Sequence, residues 1–196
     1  MRRLLTVLAL LLCCLGARAQ RSDWQYWETP FQFTPIVFDL GAEYLGIQPE
    51  HNLIDRCVAN AVGYAAMFGI THGLKYAVRE QRPDGSNYRS FPSGHTAAAF
   101  TGAELVRQDY GWEWGAVFYA GGAAVACGRV AHRRHWWWDT VAGAGIGVLS
   151  AWIGRWTADA LDLGTKWGTK KESNLAVAPS VDPLTGAYCA NLVWRF

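Results

Sequence analysis

The stretch Pro92-Ser93-Gly94-His95 predicts where a central helix begins and what lies in its first turn. Ser93 is of the residue type that caps helix N-termini, and Gly94 allows the backbone to approach a ligand closely. The free N–H groups of such a helix start bind anions. His95 would then sit beside the anion, where an imidazole can donate a proton to a leaving alkoxide. By itself, the stretch is equally consistent with an ordinary capped helix and an incidental histidine.

A second stretch, Arg129-x5-His135-x3-Asp139, lies further along the chain. If the residues from 136 onward are helical, His135 and Asp139 share a helix face, and the carboxylate can accept a hydrogen bond from one ring nitrogen. That contact sets the tautomer and leaves the other nitrogen free to attack. Arg129 can reach the anion that the first stretch would bind. The alternative is a surface ion pair of the kind common at this helical spacing.

The third stretch, Lys75-x6-Arg82-Pro83, precedes the other two. Seven residues are two helical turns, so Lys75 and Arg82 project from one face if the helix persists, and Pro83 favours an extended Arg82 and ends the helix. Two converging cations suit an oxyanion, although a solvated helix end has the same composition. The three stretches together contain the groups needed to hold a phosphoryl group, attack it and protonate what leaves.

The periodicity and the capping residues predict a mainly α chain. Asn52 is a candidate N-cap, and Gly143, Gly145 and Gly147 favour close helix packing. At the C-terminus, residues 188–196 alternate with the period of a strand and are expected to pair with residues 175–178 across a turn at 183–186, as a hairpin packed on the helical body. The predicted helices cover residues 38–45, 53–79, 94–108, 114–130 and 137–160.

The N-terminus has the pattern of a signal peptide. Arg2 and Arg3 precede the apolar residues 4–15, and Ala17-Arg18-Ala19 fits the small-x-small cleavage rule. The alternative is an uncleaved anchor. The predicted organisation is therefore a signal peptide at 1–19, a helical phosphatase domain at 20–163, and a linker with the C-terminal hairpin at 164–196. These boundaries imply export, to the periplasmic side of a bacterial envelope.

Charge and cysteine content argue against a nucleic-acid partner, a disulfide framework and a cysteine metal site. Cleavage would remove three arginines, which lowers Lys plus Arg from 18 to 15 against 16 Asp plus Glu, so the mature chain carries a net charge of −1. No global positive field suggests nucleic acid. Cys57, Cys127 and Cys189 have neither a disulfide framework nor metal-ligand spacing, and are predicted to be buried, apolar thiols.

The three stretches resemble the pattern of the type-2 phosphatidic acid phosphatase superfamily, K-x6-RP, then PSGH, then SR-x5-H-x3-D. This superfamily also contains bacterial class A acid phosphatases and vanadium haloperoxidases. The only departure is Gly128, which stands where serine is usual and removes a hydroxyl while keeping the backbone amide. The resemblance covers residues 52–160 and implies a helical bundle with its site at one end.

The resemblance also implies roles for individual residues. His135 would be the nucleophile that forms a phosphohistidine, Asp139 would orient it, and His95 would protonate the leaving group and then activate water. No metal and no cofactor would be required, because cations and amides hold the phosphate. The phosphate-binding groups would be Lys75, Arg82, Arg129, Ser93 and the amide of Gly94.

A phosphorylated lipid is the expected substrate. The chain carries an export signal, and Trp136, Trp137 and Trp138 lie between His135 and Asp139, where they suit a membrane interface or an apolar mouth. We expect a membrane-associated, periplasm-facing enzyme. Lipid A is the specific candidate, with undecaprenyl diphosphate, phosphatidic acid and phosphatidylglycerophosphate left open, as are the number of spans and the oligomeric state.

Three other readings stay open on the sequence alone. A vanadium haloperoxidase would hold vanadate in the same site, although those enzymes are usually much longer. A soluble periplasmic acid phosphatase would act on small esters. A non-catalytic envelope protein would use its aromatic segments to bind lipid or a partner.

Overall fold

The computed structural model describes residues 28–164 and the backbone of two strands near the C-terminus. The predicted signal peptide and the turn at 183–186 lie outside the described residues. In the described part of the chain, three long helices follow two short N-terminal helices and one 3₁₀ turn. In chain order the elements are α1 (Glu28–Phe31), α2 (Thr34–Gly41), the 3₁₀ turn Ala42–Leu45, α3 (Leu53–Val78), α4 (Gly94–Ala131), α5 (Trp137–Leu161), β1 (Leu175–Val181) and β2 (Tyr188–Trp194).

Helix α3 begins where its predicted cap lies. The side chain of Asn52 accepts a hydrogen bond from the backbone N–H of Asp55 at 3.0 Å, which satisfies one of the free amides of the first turn. The helix ends at Val78, and Arg79 takes the left-handed conformation with φ 48°. The predicted helix is confirmed, with its end one residue earlier.

Helix α4 joins two stretches that the sequence predicts as separate helices. Its helical geometry is interrupted at Gly111, with φ 75° and ψ −175°, a conformation that a residue without a Cβ adopts at little cost. The break lies inside the gap predicted between 108 and 114. The chain therefore has two helical segments that meet at one glycine instead of a connecting loop.

Helix α5 packs against both α3 and α4 because small residues face them. A Cβ at Gly143 would lie 2.5 Å from the carbonyl oxygen of Ser93, and one at Gly147 or Gly154 would also collide with backbone of a neighbouring helix. Gly145 has no described atom within 4 Å of a Cβ position. The prediction of close packing is thus confirmed for Gly143 and Gly147 and wrong for Gly145.

The bundle core combines small apolar side chains with a buried polar network. Arg56 is fully buried and donates hydrogen bonds to the carbonyl of Asp39 and to the Tyr110 hydroxyl. Asp109 pairs with Arg155 at 2.5 Å. Because these residues lie near the start of α3, at the break in α4 and near the end of α5, the network closes one end of the bundle. The apolar core residues include Ala59, Met67, Ala97, Ala103, Leu105, Val106, Phe118, Val125, Ala151 and Ala158. The prediction of buried thiols is wrong for Cys57 and Cys127, which are exposed because their positions on α3 and α4 face away from this core.

At the opposite end, the last turn of α3 meets the starts of α4 and α5. The Lys75 ammonium donates to the Pro92 carbonyl at 2.5 Å, joining α3 to the residues before α4. The N–H of Ser93 donates to the carbonyl of Asp139 at 3.0 Å, joining α4 to α5. All three predicted stretches therefore come together at this end.

The two strands form an antiparallel pair, with Leu175 opposite Trp194 and Val181 opposite Tyr188. The predicted pairing is confirmed, and the first strand is longer than expected.

Candidate active site

Lys75 and Arg82 reach the site from different elements. Lys75 lies in the last turn of α3, where its ammonium also donates to the Arg89 carbonyl at 3.1 Å. Because α3 ends at Val78, Arg82 does not continue the same helix face. It comes from the loop that follows, where its N–H donates to the Asn87 carbonyl at 3.0 Å. The predicted pair of cations is present, but a loop supplies the second one.

Ser93 and Gly94 form the start of α4. Ser93 has the extended backbone of an N-cap, yet its buried hydroxyl lies 3.0 Å from the Thr96 hydroxyl and makes no capping hydrogen bond. A Cβ on Gly94 would meet no described protein atom within 4 Å, and its φ is not positive. Neither packing nor backbone geometry therefore requires glycine here, whereas an anion close to the helix start would.

Arg129 fixes the loop that carries His135. Its buried side chain lies in the last turn of α4, and its carbonyl accepts the N–H groups of Arg134 at 3.0 Å and His135 at 3.3 Å. These two bonds turn the chain back on itself before α5. The six-residue spacing between Arg129 and His135 is thus the length of this turn.

His135 and Asp139 are both buried, with Nδ1 of the imidazole 3.5 Å from Oδ2 of the carboxylate. This separation is longer than a good hydrogen bond but leaves the two groups in direct contact. Asp139 is the third residue of α5, and its Oδ2 also accepts from the N–H of Trp136 at 2.9 Å. The carboxylate therefore caps α5 and faces His135 with the same oxygen.

The two imidazoles and three cations act on one another electrostatically. Burial lowers the pKa of His95 most, and with the charges of Arg129, His135, Arg82 and Lys75, in that order, it brings the pKa to about 4. The interaction between two charges weakens as their separation grows, so these mutual effects indicate that the groups lie close together. The five groups share one small region, and His95 is neutral at neutral pH before an anion binds.

The pKa values of His135 and Asp139 are both shifted down. Burial lowers that of His135, opposed by its contact with Asp139 and helped by nearby cations. Burial alone would raise the pKa of Asp139, but its contact with His135 and the hydrogen bond from Ser90 outweigh this effect. The pair therefore consists of a neutral imidazole and a carboxylate, the protonation states in which one ring nitrogen can attack.

The cations repel one another. The pKa of Lys75 is lowered to about 8, mainly by burial and next by the charge of Arg82. The pKa of Arg82 is lowered by burial and then by Arg129. A cluster of like charges at short range is stabilised when an anion binds among them. This is the behaviour expected of a phosphate site.

The chain matches the PAP2 superfamily over residues 56–161, a span that contains all three stretches. It belongs to the PAP2 superfamily. The crystal structure of Aquifex aeolicus LpxE has the same fold, with a TM-score of 0.53 and 22% identity, covering 74% of this chain and 93% of the other. The expected helical bundle is confirmed.

Two curated relatives of this PAP2 chain have names that state an activity. It is 37% identical over 132 residues to a lipid A 1-phosphatase of Porphyromonas gingivalis, covering 65% of this chain and 30% of the relative. It is 31% identical over 103 residues to a lipid A 4'-phosphatase of Helicobacter pylori, covering 47% and 50%. The chain thus spans half or less of each relative's length.

Two residues of this PAP2 site were not predicted. Ser90 is fully buried, and its hydroxyl donates to Oδ2 of Asp139 at 2.5 Å. Glu80 accepts from the indole N–H of Trp138 at 2.9 Å, and its pKa is raised by burial and by its contact with Asp139. Both residues lie in the loop between α3 and α4, where no local pattern indicates that a side chain will turn toward Asp139.

Proposed function

We propose that this protein is a metal-independent phosphatase that removes phosphate from a lipid, with lipid A as the substrate, at the periplasmic face of the envelope. The observation that carries the proposal is the convergence of Lys75, Arg82 and Arg129 with two neutral imidazoles, buried His135 and half-buried His95. The cations and the start of α4 hold a phosphate, and the imidazoles supply the chemistry.

The reaction proceeds in two displacements. His135 attacks phosphorus through Nε2, the bond from phosphorus to the leaving oxygen breaks, and His95 gives that oxygen a proton. His95 needs the imidazolium form for this step, and the charge of the bound phosphate raises its pKa toward that form. Neutral His95 then takes a proton from water, whose oxygen attacks phosphorus, and the bond to His135 breaks to release inorganic phosphate.

Asp139 stabilises the charge that develops on His135. Its carboxylate faces Nδ1 at 3.5 Å, so Nδ1 carries the ring proton and Nε2 has the free electron pair. The imidazole becomes positively charged when Nε2 bonds to phosphorus. A buried carboxylate at this distance interacts more strongly with that charge than with the neutral ring, which lowers the barrier.

The surface around the site supports a lipid substrate and a membrane-associated enzyme. The indole N–H groups of Trp136 and Trp138 donate to residues of the α3–α4 loop, and their rings stack at 5.1 Å beside the site. Along α5, Trp137, Val141, Leu149 and Trp156 are each more than 60% exposed. Tryptophan and aliphatic side chains displayed in this way suit an interface between water and lipid.

Among the described helices, Leu53–Val78 alone has the length and apolarity to cross a bilayer, with a mean hydropathy of 1.2. A core helix can have the same composition, so this helix adds only modest support to membrane association. The names of the two relatives support lipid A as the phosphorylated lipid.

Phosphate release from a panel of substrates tests the proposal. Purified full-length protein in neutral detergent would be given lipid A, undecaprenyl diphosphate, phosphatidate, a nucleotide and a sugar phosphate, with and without EDTA. We expect lipid A to have the highest kcat/KM, activity to survive EDTA, and the His135→Ala variant to release none.

Other outcomes would contradict particular parts. Faster release from soluble esters would favour a broad acid phosphatase. Loss of activity in EDTA that Mg²⁺ or Zn²⁺ restores would rule out the metal-independent mechanism. Binding of anionic lipid without hydrolysis of any ester would indicate a non-catalytic envelope protein, and vanadate-dependent bromide oxidation would indicate a haloperoxidase.

A further inference from the structure

A cavity of about 470 Å³ opens next to the phosphate site. Lys75 belongs to both, because its ammonium donates to the backbone before α4 while its side chain also lines the cavity. The volume is within the range of small-ligand sites and exceeds what one phosphate fills. Its lining residues are Lys75, Tyr76, Arg79, Asn87, Tyr88 and Arg89.

The cavity is cationic and aromatic. Arg79 and Arg89 add two charges to that of Lys75, and within residues 28–164 neither guanidinium forms an ion pair with a carboxylate. The guanidinium of Arg89 lies over the ring of Tyr76, 5.1 Å from its centre. An arginine held in this way keeps its hydrogen-bond donors available for an anion.

The backbone at Arg79 has a conformation that does not favour arginine. Its φ of 48° is left-handed, a conformation in which glycine or asparagine is preferred at the end of a helix. The fold therefore does not require arginine at this position. Its exposed side chain instead contributes charge to the cavity wall.

We propose that the cavity binds a second phosphate of the same substrate molecule, one that is not hydrolysed. The inference rests on the proposed phosphatase function and specifies its substrate class as a lipid with two phosphates. Arg79 and Arg89 bind the second phosphate, Lys75 lies between the two anions, and Tyr76 and Tyr88 flank the ring that joins them. A sugar ring packs well on tyrosine because its C–H face is apolar.

The test compares two forms of one lipid, with and without the second phosphate, in neutral detergent micelles. For the wild type, the bisphosphorylated form should have a KM about tenfold lower at equal kcat, since exposed charge contacts contribute modestly to binding. The Arg79→Gly and Arg89→Gln variants should each remove most of this difference and leave kcat within about twofold, because neither residue touches the reacting phosphate. Added salt should reduce the difference in KM between the two lipids for the wild type.

Arg133→Gly is the matched control. Arg133 is exposed, carries the same charge, and has a left-handed backbone with φ 55°, but it does not line the cavity. Its substitution should leave the KM ratio of the two lipids unchanged. If Arg133→Gly reduced the KM difference as much as the Arg79 and Arg89 variants do, general surface charge, and not the cavity, would determine the preference for the bisphosphorylated lipid.

The remaining outcomes separate this inference from the proposed function. Hydrolysis of neither lipid would contradict the phosphatase function itself. Hydrolysis of both with the same wild-type KM would overturn the subsite alone. If phosphatidylglycerol added to micelles of the monophosphorylated lipid lowers its KM in an Arg79-dependent manner, the cavity binds the headgroup of a neighbouring lipid, and the assignment to the same molecule is wrong. Variants with a normal kcat are folded, so every comparison is interpretable.

Discussion

The Ser90 hydroxyl provides a demanding test of how Asp139 is positioned. It donates to Oδ2 at 2.5 Å inside a site where both residues are fully buried. We expect the Ser90→Ala variant to fold, to bind substrate normally and to turn over slowly. The reason is that the carboxylate loses one of the donors that orient it toward His135, while no group that contacts the phosphate is removed.

The magnitude follows from the burial of this contact. A hydrogen bond to a charged group contributes about 1.5–3 kcal/mol, and here solvent does not screen it. Since about 1.4 kcal/mol corresponds to a factor of ten in rate, kcat should fall about tenfold to a hundredfold. The N–H of Trp136 remains as a donor at 2.9 Å, which keeps the loss below that expected for removing Asp139 itself.

Steady-state kinetics over a range of pH would measure the effect. Removing a donor to a carboxylate raises its pKa, so the acidic limb of kcat/KM should move to higher pH in Ser90→Ala. Ser86→Ala is the control, because Ser86 is an exposed serine of the same loop. A kcat and an acidic limb that both stay within twofold of the wild type would refute the reasoning, as would an equal effect of the control.

Three further predictions concern the site and the bundle. The pKa of His95, about 4 in the free protein, should rise by at least one unit when tungstate binds, because a dianion stabilises the imidazolium; an unchanged NMR titration would contradict this. Gly94→Ala should keep the melting temperature within about 2 °C and lower kcat/KM at least tenfold. Gly145→Ala is the control, because a Cβ at this position also meets no described atom, and it should leave kcat/KM unchanged. Equal effects of the two substitutions on kcat/KM would argue against an anion at the start of α4. The pKa of buried Asp39 is raised to about 8, mainly by burial and next by Asp109. The carboxyl of the unfolded chain releases its proton near pH 4, whereas the folded protein keeps it, so the free energy of unfolding falls as pH rises from about 4 to 8. Asp39→Asn should therefore raise the melting temperature more at pH 8.5 than at pH 5, and a lower value at both pH values would show that the charged form is the stable one.

The predictions that succeeded depend on local chemistry. Asn52 caps α3 through a contact three residues away, and the helix boundaries follow from such signals. Gly143 and Gly147 lie one helical turn apart, so their shared face could be predicted before the neighbouring helix was known. The antiparallel pairing of the C-terminal strands follows similarly from alternation and a turn signal.

The predictions that failed depend on how distant parts of the chain meet. Gly145 has the same local pattern as its neighbours but faces away from the helices. The sequence places Arg82 beyond the predicted helix but does not indicate the path of the loop after Arg79, which brings Arg82 to the site. Ser90 contacts a carboxylate 49 residues away, and nothing in its surrounding sequence records that partner.

The role of His135 can be tested most directly by trapping the intermediate. The full-length protein would be mixed with lipid substrate labelled with ³²P in the scissile phosphate, quenched in base within one turnover, and mapped by mass spectrometry. We predict an acid-labile, base-stable phosphoryl group on His135, formed and lost at rates that match turnover, and absent from His135→Ala. Turnover of the wild type with no label on the protein, or with label on another residue, would contradict the account.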